Sequence, residues 1–508
     1  MQLLCAGSPS NGDSCPNAVY GNSVVTATTS RAASIVDPVS IFGRRVEYKY
    51  IVAAVLVSAL FLDILDTTIV NVALPTLGQQ FGAGSTEWVV VGYTLSLAVF
   101  IPASGWLGDR VGTKRVFLFA FAMFLGASAL CGAAQSINQL IAFRVLQGVG
   151  GGMLTPVGLA MMFRVFPPAE RARVSTLMMI PTLAAPTLGP VIGGFLVTNA
   201  GWRWIFYVNV PVGLVAFVVG FKLLREHSEP DCGSFDVAGF VLSGAGLASF
   251  VYALSQGPRG GWTSPQVLLF GVAGIAMLTA MVRVETRKTH PMLTLSLLRD
   301  RMFRNSNIVS AFSISSFLGL LFVLPAYLQS LRGLSAQASG LVTFPQAIGV
   351  GCSTFIAGSL YKRVGPRRLI FVGLFLSSLT IFAFYWLTLD TNLWWIRGLM
   401  LLRGFCMGFA FVPMQASSYA TIAPTDNGRA SSIFSTQRQV AISIAVAILG
   451  TILTHYVVLG VDGLAVDRSG ALDGFHITFL VAAGLALVGS FSALLIRDKD
   501  AAATMAMR

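Results

Sequence analysis

The sequence predicts an all-α polytopic membrane protein made of two repeated halves, and three observations lead there. Of its 508 residues, 55% are hydrophobic and 11% charged. Apolar stretches of at least ~18 residues, enough to cross a bilayer, recur about every thirty residues. The basic residues alternate in side: of 34 Lys and Arg, 26 fall in the N-terminal tail, the even-numbered loops and the C-terminal tail, and five in the opposite loops. By the positive-inside rule this gives an even number of spans in a plasma or inner cell membrane, with both termini cytoplasmic. The third observation is a duplication. The run Gly105 to Arg115 recurs as Gly358 to Arg368, and Glu170 to Arg173 recurs as Asp426 to Arg429, at offsets of 253 and 256 residues.

Residues 1–48 are polar and aperiodic, without an apolar run of signal-peptide length, and are expected to form a disordered cytoplasmic tail. Fourteen spans follow, each an apolar run bounded by charge, Pro or Gly. Span 1 (50–74) starts beside Lys49 and stops at Pro75, and span 2 (86–107) ends on Gly108-Asp109-Arg110. Span 3 (115–135) opens on Lys114-Arg115, while spans 4 (139–163) and 5 (172–198) are parted by Pro167-Pro168 and Glu170-Arg171. Span 6 (202–224) closes at Arg225-Glu226, completing a first half, 49–226. Spans 7 (236–256) and 8 (265–285), split by a Gly-Pro-Arg-Gly-Gly run, fall in a linking segment, 227–304, outside the repeat. Spans 9 (305–330), 10 (336–360), 11 (368–388), 12 (393–421), 13 (428–458) and 14 (475–496) make the second half, 305–497, before a cytoplasmic tail, 498–508. Pseudo-symmetric halves are the usual basis of alternating access around a central site.

Composition also excludes functions. The net charge of +13 sits in short loop clusters and not in one patch, so no nucleic-acid partner is expected. Six scattered cysteines offer no metal spacing, and no Gly-Lys-Ser/Thr loop cradles a phosphate, so neither a cofactor nor an ATP-driven pump is implied. Four scattered histidines give no catalytic constellation; the chain does not read as an enzyme.

The chemistry concentrates in span 1. Asp63 and Asp66 lie three residues apart in an apolar helix, where a charge costs ~3 kcal/mol or more. Burial favours the protonated form of a carboxylate, so the pair points to proton-coupled transport. Arg144 in span 4 is a second intramembrane charge, followed by Gln147, Gly148 and Gly150 to Gly152. In Gly105 to Arg115 the glycines Gly105 and Gly112 permit close packing and a sharp turn. Asp109 can face a helix N-terminus, and Arg110, Lys114 and Arg115 hold the loop inside. Span 5 carries Gly189-Pro190 and Gly193-Gly194, which bend a helix and leave a smooth face for another to pivot on. Isolated polar and large apolar residues, Asn71, Gln147, Met153, Phe317, Gln346, Gln415, Tyr419 and Gln437, are expected to line a pocket for amphipathic ligands.

With these runs and Leu65 to Pro75, residues 50–497 resemble the major facilitator superfamily, specifically its fourteen-spanner drug:proton antiporters. Trp202 to Gly213 extends the match. The resemblance implies two six-helix bundles plus two extra helices and export of lipophilic or amphipathic compounds against protons. Asp66 and Arg144 are implied on the proton pathway, 105–115 as a cytoplasmic gate, and Gly189 to Gly194 as the mark of an antiporter. A dedicated metabolite carrier on the same fold is the alternative. Span 13 departs from relatives, reading Gln439-Val440-Ala441-Ile442-Ser443 where they carry Gly-Gly. The loop 459–474 is short, which argues against docking onto a periplasmic adaptor; a monomer is expected.

Overall fold

A computed structural model describes residues 39–41, 44–81, 86, 88–229, 233–288, 291–458 and 464–505. It divides into two units, 1–48 and 49–508. Of the expected disordered tail, residues 1–38 lie outside the described residues. Within the same stretch Val39–Ile41 (β1) pairs antiparallel with Arg44–Val46 (β2).

The second unit is helical: α1 Tyr48–Phe81, α2 Trp88–Val111, α3 Thr113–Ala133, α4 Ile137–Val165, α5 Arg171–Asn199 and α6 Trp204–Leu223. Then come α7 Val237–Gly260, α8 Pro265–Glu285, α9 Arg301–Ser330, α10 Ala336–Val364, α11 Pro366–Phe382, α12 Leu393–Ser418, α13 Asn427–Tyr456 and α14 Arg468–Ala493. Among the described residues thirteen helices are long and apolar enough to cross a membrane. The remaining one, α5, has 29 residues, more than the ~20 a bilayer needs, and brings the count to the expected fourteen.

Two boundaries differ from those read in the sequence. Pro75 does not stop the first helix, which runs 34 residues to Phe81; membrane helices tolerate proline where neighbours satisfy the freed backbone. The run Gly105 to Arg115 is not a loop. It is the last turns of α2, the single residue Gly112 (φ 112°), and the first turn of α3. At +112° only glycine is unstrained, so a one-residue connection there requires it.

The duplication in sequence is a duplication in packing. Helix α4 packs on α2 and α3, as α12 packs on α10 and α11; α3 packs on α6, as α11 does on α14. The halves meet by the same symmetry, with α13 on α2 and α4, and α5 on α10 and α12. The extra pair breaks it. Helices α7 and α8 pack on each other, and α7 lies along α2 and α13, covering one of the two seams. Large apolar residues such as Phe119, Phe221, Leu269, Phe355 and Trp394 are exposed on outer faces, the pattern of helices in lipid.

Candidate functional site

The span-1 carboxylates, three residues apart, part company. Three residues of α-helix leave about 60° between them, and that suffices to aim them into different surroundings. Asp66 is fully buried inside the first half and takes three donors: the guanidinium of Arg144, Gln147 Nε2 at 3.0 Å and Asn209 Nδ2 at 3.1 Å. The donors are themselves held. Arg144 Nε donates to Val89 O at 3.1 Å and its Nη1 also reaches Gln147 Oε1 at 2.7 Å. Asn209 Nδ2 also reaches Ser128 Oγ at 3.2 Å, and Ser128 Oγ donates to Phe206 O at 2.9 Å. A carboxylate with three N–H donors and a guanidinium contact is the arrangement that makes a buried charge tolerable.

Asp63, 6% exposed, instead reaches a cavity. Tyr93 Oη donates to Asp63 Oδ1 at 2.5 Å and Thr155 Oγ1 to Oδ2 at 3.5 Å. Tyr93 joins the two sites, because the Arg144 guanidinium lies 4.2 Å from its ring centroid. The glycine run of α4 makes the junction fit. A Cβ on Gly151 would stand 2.6 Å from Tyr93 Oη and 2.8 Å from Asp63 Oδ1.

The cavity, about 300 Å³, lies between the halves, with walls from α1, α2, α4 and α5 on one side and α9, α12 and α13 on the other. Its walls are mostly apolar, among them Ile64, Phe317, Phe411 and Met414, and Asp63 and Arg438 are its charged residues. Of the residues expected to line it, Phe317 and Gln415 do. Asn71 lines a second cavity of about 450 Å³ at the α5–α10 seam, with Pro186 and Pro190. The other expected residues do not line either cavity. Gln147 and Gln346 are turned inward by buried guanidiniums, Arg144 and Arg403, whose donors need their oxygens. Tyr419 stacks on Phe163 at 4.2 Å, Met153 is buried within its bundle, and the Gln437 amide is buried without a hydrogen-bond partner among the described residues.

The halves are stapled at one end. Ser432 Oγ donates to Ile101 O (2.9 Å) and Pro102 O (2.8 Å), and Ser431 Oγ to Pro156 O (2.8 Å). Arg171 donates to Tyr419 O, and Thr176 Oγ1 to Thr354 O at 3.3 Å. Gly105 and Gly428 touch, since a Cβ on Gly105 would stand 2.6 Å from Gly428 O. Buried Asp109 abuts Gly428 at the start of α13, where a helix N-terminus favours a negative charge. Arg110 and Arg115 are exposed, and Lys114 Nζ lies 5.9 Å from the Phe221 ring. In α5, Gly189 lies against Thr68, and a Cβ on Gly193 would stand 2.9 Å from Ile69 Cγ1, so both let α5 ride on α1; Gly194 faces Gln337 of α10.

Sequence reading missed Tyr93, Thr155 and Asn209, each a polar group in an apolar run whose partner lies 30 to 143 residues away. It also missed Glu226, whose carboxylate accepts from Lys114 N (2.9 Å) and Arg115 N (3.2 Å), capping α3. Asp498 does the same after the last helix of the second half, accepting from Arg367 N at 3.0 Å.

The Major Facilitator Superfamily model matches residues 56–446. The chain is 35% identical over 416 residues to a "Multidrug resistance protein B homolog" of Mycobacterium tuberculosis, covering 79% of this chain and 76% of that one. It is 32% identical over 432 residues to a "Putative multidrug resistance protein MdtD" of Salmonella heidelberg, covering 83% and 89%. It is 29% identical to "Multidrug resistance protein 3" of Bacillus subtilis, covering 80% of each chain. The crystal structure of the human organic anion transporter MFSD10 shares the fold, with a TM-score of 0.63 at 17% identity over 88% of this chain and 99% of that one.

Proposed function

The chain belongs to the major facilitator superfamily, and on that premise we propose that it exports lipophilic or amphipathic compounds in exchange for protons by alternating access. One observation carries the reading. A mostly apolar cavity between the halves is touched by Asp63, and a chain of contacts through Tyr93 and Arg144 leads from there to the enclosed Asp66. The relatives named multidrug resistance proteins support the substrate range.

In this reading Asp66 carries the proton. Protonating it removes the anion from Arg144, which keeps Gln147 Oε1 and Val89 O, and it weakens the tie of α1 to α4 and α6. Asp63 is the carboxylate that a cationic group meets in the cavity. Because Arg144 rests on the ring whose hydroxyl holds Asp63, a shift of the guanidinium is felt at the cavity wall. The cluster of Gly105, Asp109 and Gly428 with the Ser431 and Ser432 bonds is the gate on the cytoplasmic side, where both termini lie. Residues 49–226 and 305–497 are the moving bundles, α7 and α8 link them, and the functional unit is a monomer in the cell membrane without an adaptor protein.

The test is proton-driven uptake in inside-out vesicles. A fluorescent lipophilic quaternary ammonium ion, which cannot be trapped by protonation, should accumulate when the lumen is acid and be released when the gradient collapses, and vesicles lacking the protein should not take it up. Accumulation that needs no pH gradient, or inward transport by whole cells under the same gradient, would refute export.

A further inference from the structure

The cavity holds a charge that the export reading leaves unused. Arg438 of α13 lines it together with Asp63, which is its electrostatic partner, but among the described residues its guanidinium has no hydrogen bond and no close ion pair. Two further polar groups on the same wall are unsatisfied. Ser435, one helical turn before Arg438, and Gln415 of α12 are each 5% exposed, and Ser435 Oγ and Gln415 Oε1 have no partner. Buried polar atoms without partners are uncommon, and here two of them line one cavity with a cation that makes no hydrogen bond. Asp63, by contrast, is already held by Tyr93 and Thr155.

A lipophilic monocation would satisfy only the Asp63 wall and, by neutralising the carboxylate that Arg438 interacts with, leave the guanidinium an unpaired charge in a poorly solvated space. An anion alone would do the reverse. A ligand carrying both charges meets both walls, with its body against Phe317 and Phe411. Resting on the export reading above, we propose that Arg438, with Ser435 and Gln415 beside it, is the subsite for an anionic group, and that the preferred cargo is a zwitterionic amphiphile. The ammonium goes to Asp63 on the first half and the carboxylate to Arg438 on the second. Such a ligand also bridges the two moving bodies, so its binding ties cargo to closure.

Three fluorescent probes with one aromatic body separate the charges: Nε-dansyl-lysine (zwitterion), its methyl ester (cation) and its Nα-acetyl derivative (anion). Proton-driven uptake of each is measured in inside-out vesicles for the full chain. The zwitterion is expected to enter at least about tenfold better than either relative. In Arg438→Gln the ratio of zwitterion to methyl-ester uptake should fall about tenfold. Arg438→Lys, which keeps the charge, should hold the ratio within about threefold, and Gln415→Leu should lower it by a smaller factor. Equal ratios in the parent, Gln and Lys forms would overturn the assignment. Uptake of the methyl ester without preference for the zwitterion would do the same, while leaving export standing. Failure of the parent to take up any of the three would remove both readings.

Discussion

Replacing Asp66 by Asn tests the proton site with little change of shape, and the structure sets the magnitude. Two carboxylates of the first half are candidates for exchanging a proton, and the contacts divide them: Asp66 faces Arg144, Asp63 the cavity. If Asp66 alone carries the proton, one proton moves per cargo molecule. Each pH unit then sustains about tenfold accumulation, 1.4 kcal/mol at 25 °C. With the membrane potential clamped, the logarithm of the accumulation ratio of a neutral amphiphile should rise with the pH difference at a slope of about one. Asp66→Asn should flatten that slope to zero, while exchange of labelled for unlabelled cargo continues. Asp63→Asn should keep the slope and weaken affinity for cationic cargo. The substitution has a structural cost too. Three N–H donors converge on Asp66, and an Asn must turn its own NH2 toward one of them. Breaking a buried pair on one side costs about 3–5 kcal/mol; the retained amide oxygen puts this variant near the lower end, and thermal unfolding of the purified protein reads it. A slope of one in a folded Asp66→Asn protein refutes the assignment.

Three other outcomes follow from the same geometry. Gly151→Ala places a methyl group 2.6 Å from Tyr93 Oη, an overpacking of about 1–3 kcal/mol, and should break the Tyr93–Asp63 bond; cargo affinity measured by fluorescence titration should drop at least about tenfold. The double change Ser431→Ala and Ser432→Ala removes the bonds to Pro156, Ile101 and Pro102. At about 1 kcal/mol for each side chain, it should shift the gate toward opening by roughly thirtyfold, read as faster labelling of a cysteine at Thr155 from the α2–α3 side. Arg403→Met should leave the coupling slope at one, whereas Arg144→Met should abolish it, because among the described residues Arg403 has no carboxylate partner. Equal loss in both would refute the division between halves.

The sequence carried the architecture because a bilayer imposes it. Apolar length and loop charge fix the helices, and the repeated glycine and basic spacing at 105–115 and 358–368 fixes the halves. It carried Asp66 and Arg144 as well, since intramembrane charges stand out against their surroundings. What it could not carry was pairing and direction. Nothing local distinguishes Asp63 from Asp66, and only the tertiary position of Tyr93, Thr155 and Asn209 decides which carboxylate meets the cavity. Gln147 and Gln346 read as cavity residues because an isolated amide in an apolar helix serves a ligand or a buried arginine equally well. Helix length past Pro75 was hidden for a similar reason: the proline is visible, but the neighbours that accommodate it are not.

The halves share their packing but not their chemistry, and the difference bears on where energy would enter the proposed cycle. Asp66 precedes the Leu74-Pro75 pair by eight residues, and Ser316 precedes Leu324-Pro325 by eight, so the second half has a serine where the first has its carboxylate; Ser313 likewise replaces Asp63. Arg144 and Arg403 are both buried. Without an anion, Arg403 rests on the amide oxygen of Gln346 and the carbonyls of Ser316 (3.2 Å) and Phe317 (3.0 Å). It is of the same kind as the set left to Arg144 once Asp66 is neutral, one amide oxygen (Gln147) and one backbone carbonyl (Val89), though with two carbonyls in place of one. The second half thus holds its buried arginine on neutral oxygens alone, as the first half would with Asp66 protonated. In the proposed cycle the Asp66–Arg144 pair of the first half supplies the two electrostatic states that a proton needs in order to bias a conformational equilibrium; among the described residues Arg403 has no carboxylate with which to do the same. In that cycle the second half contributes the Ser431–Ser432 staple and the cavity's guanidinium, against which the first half would switch.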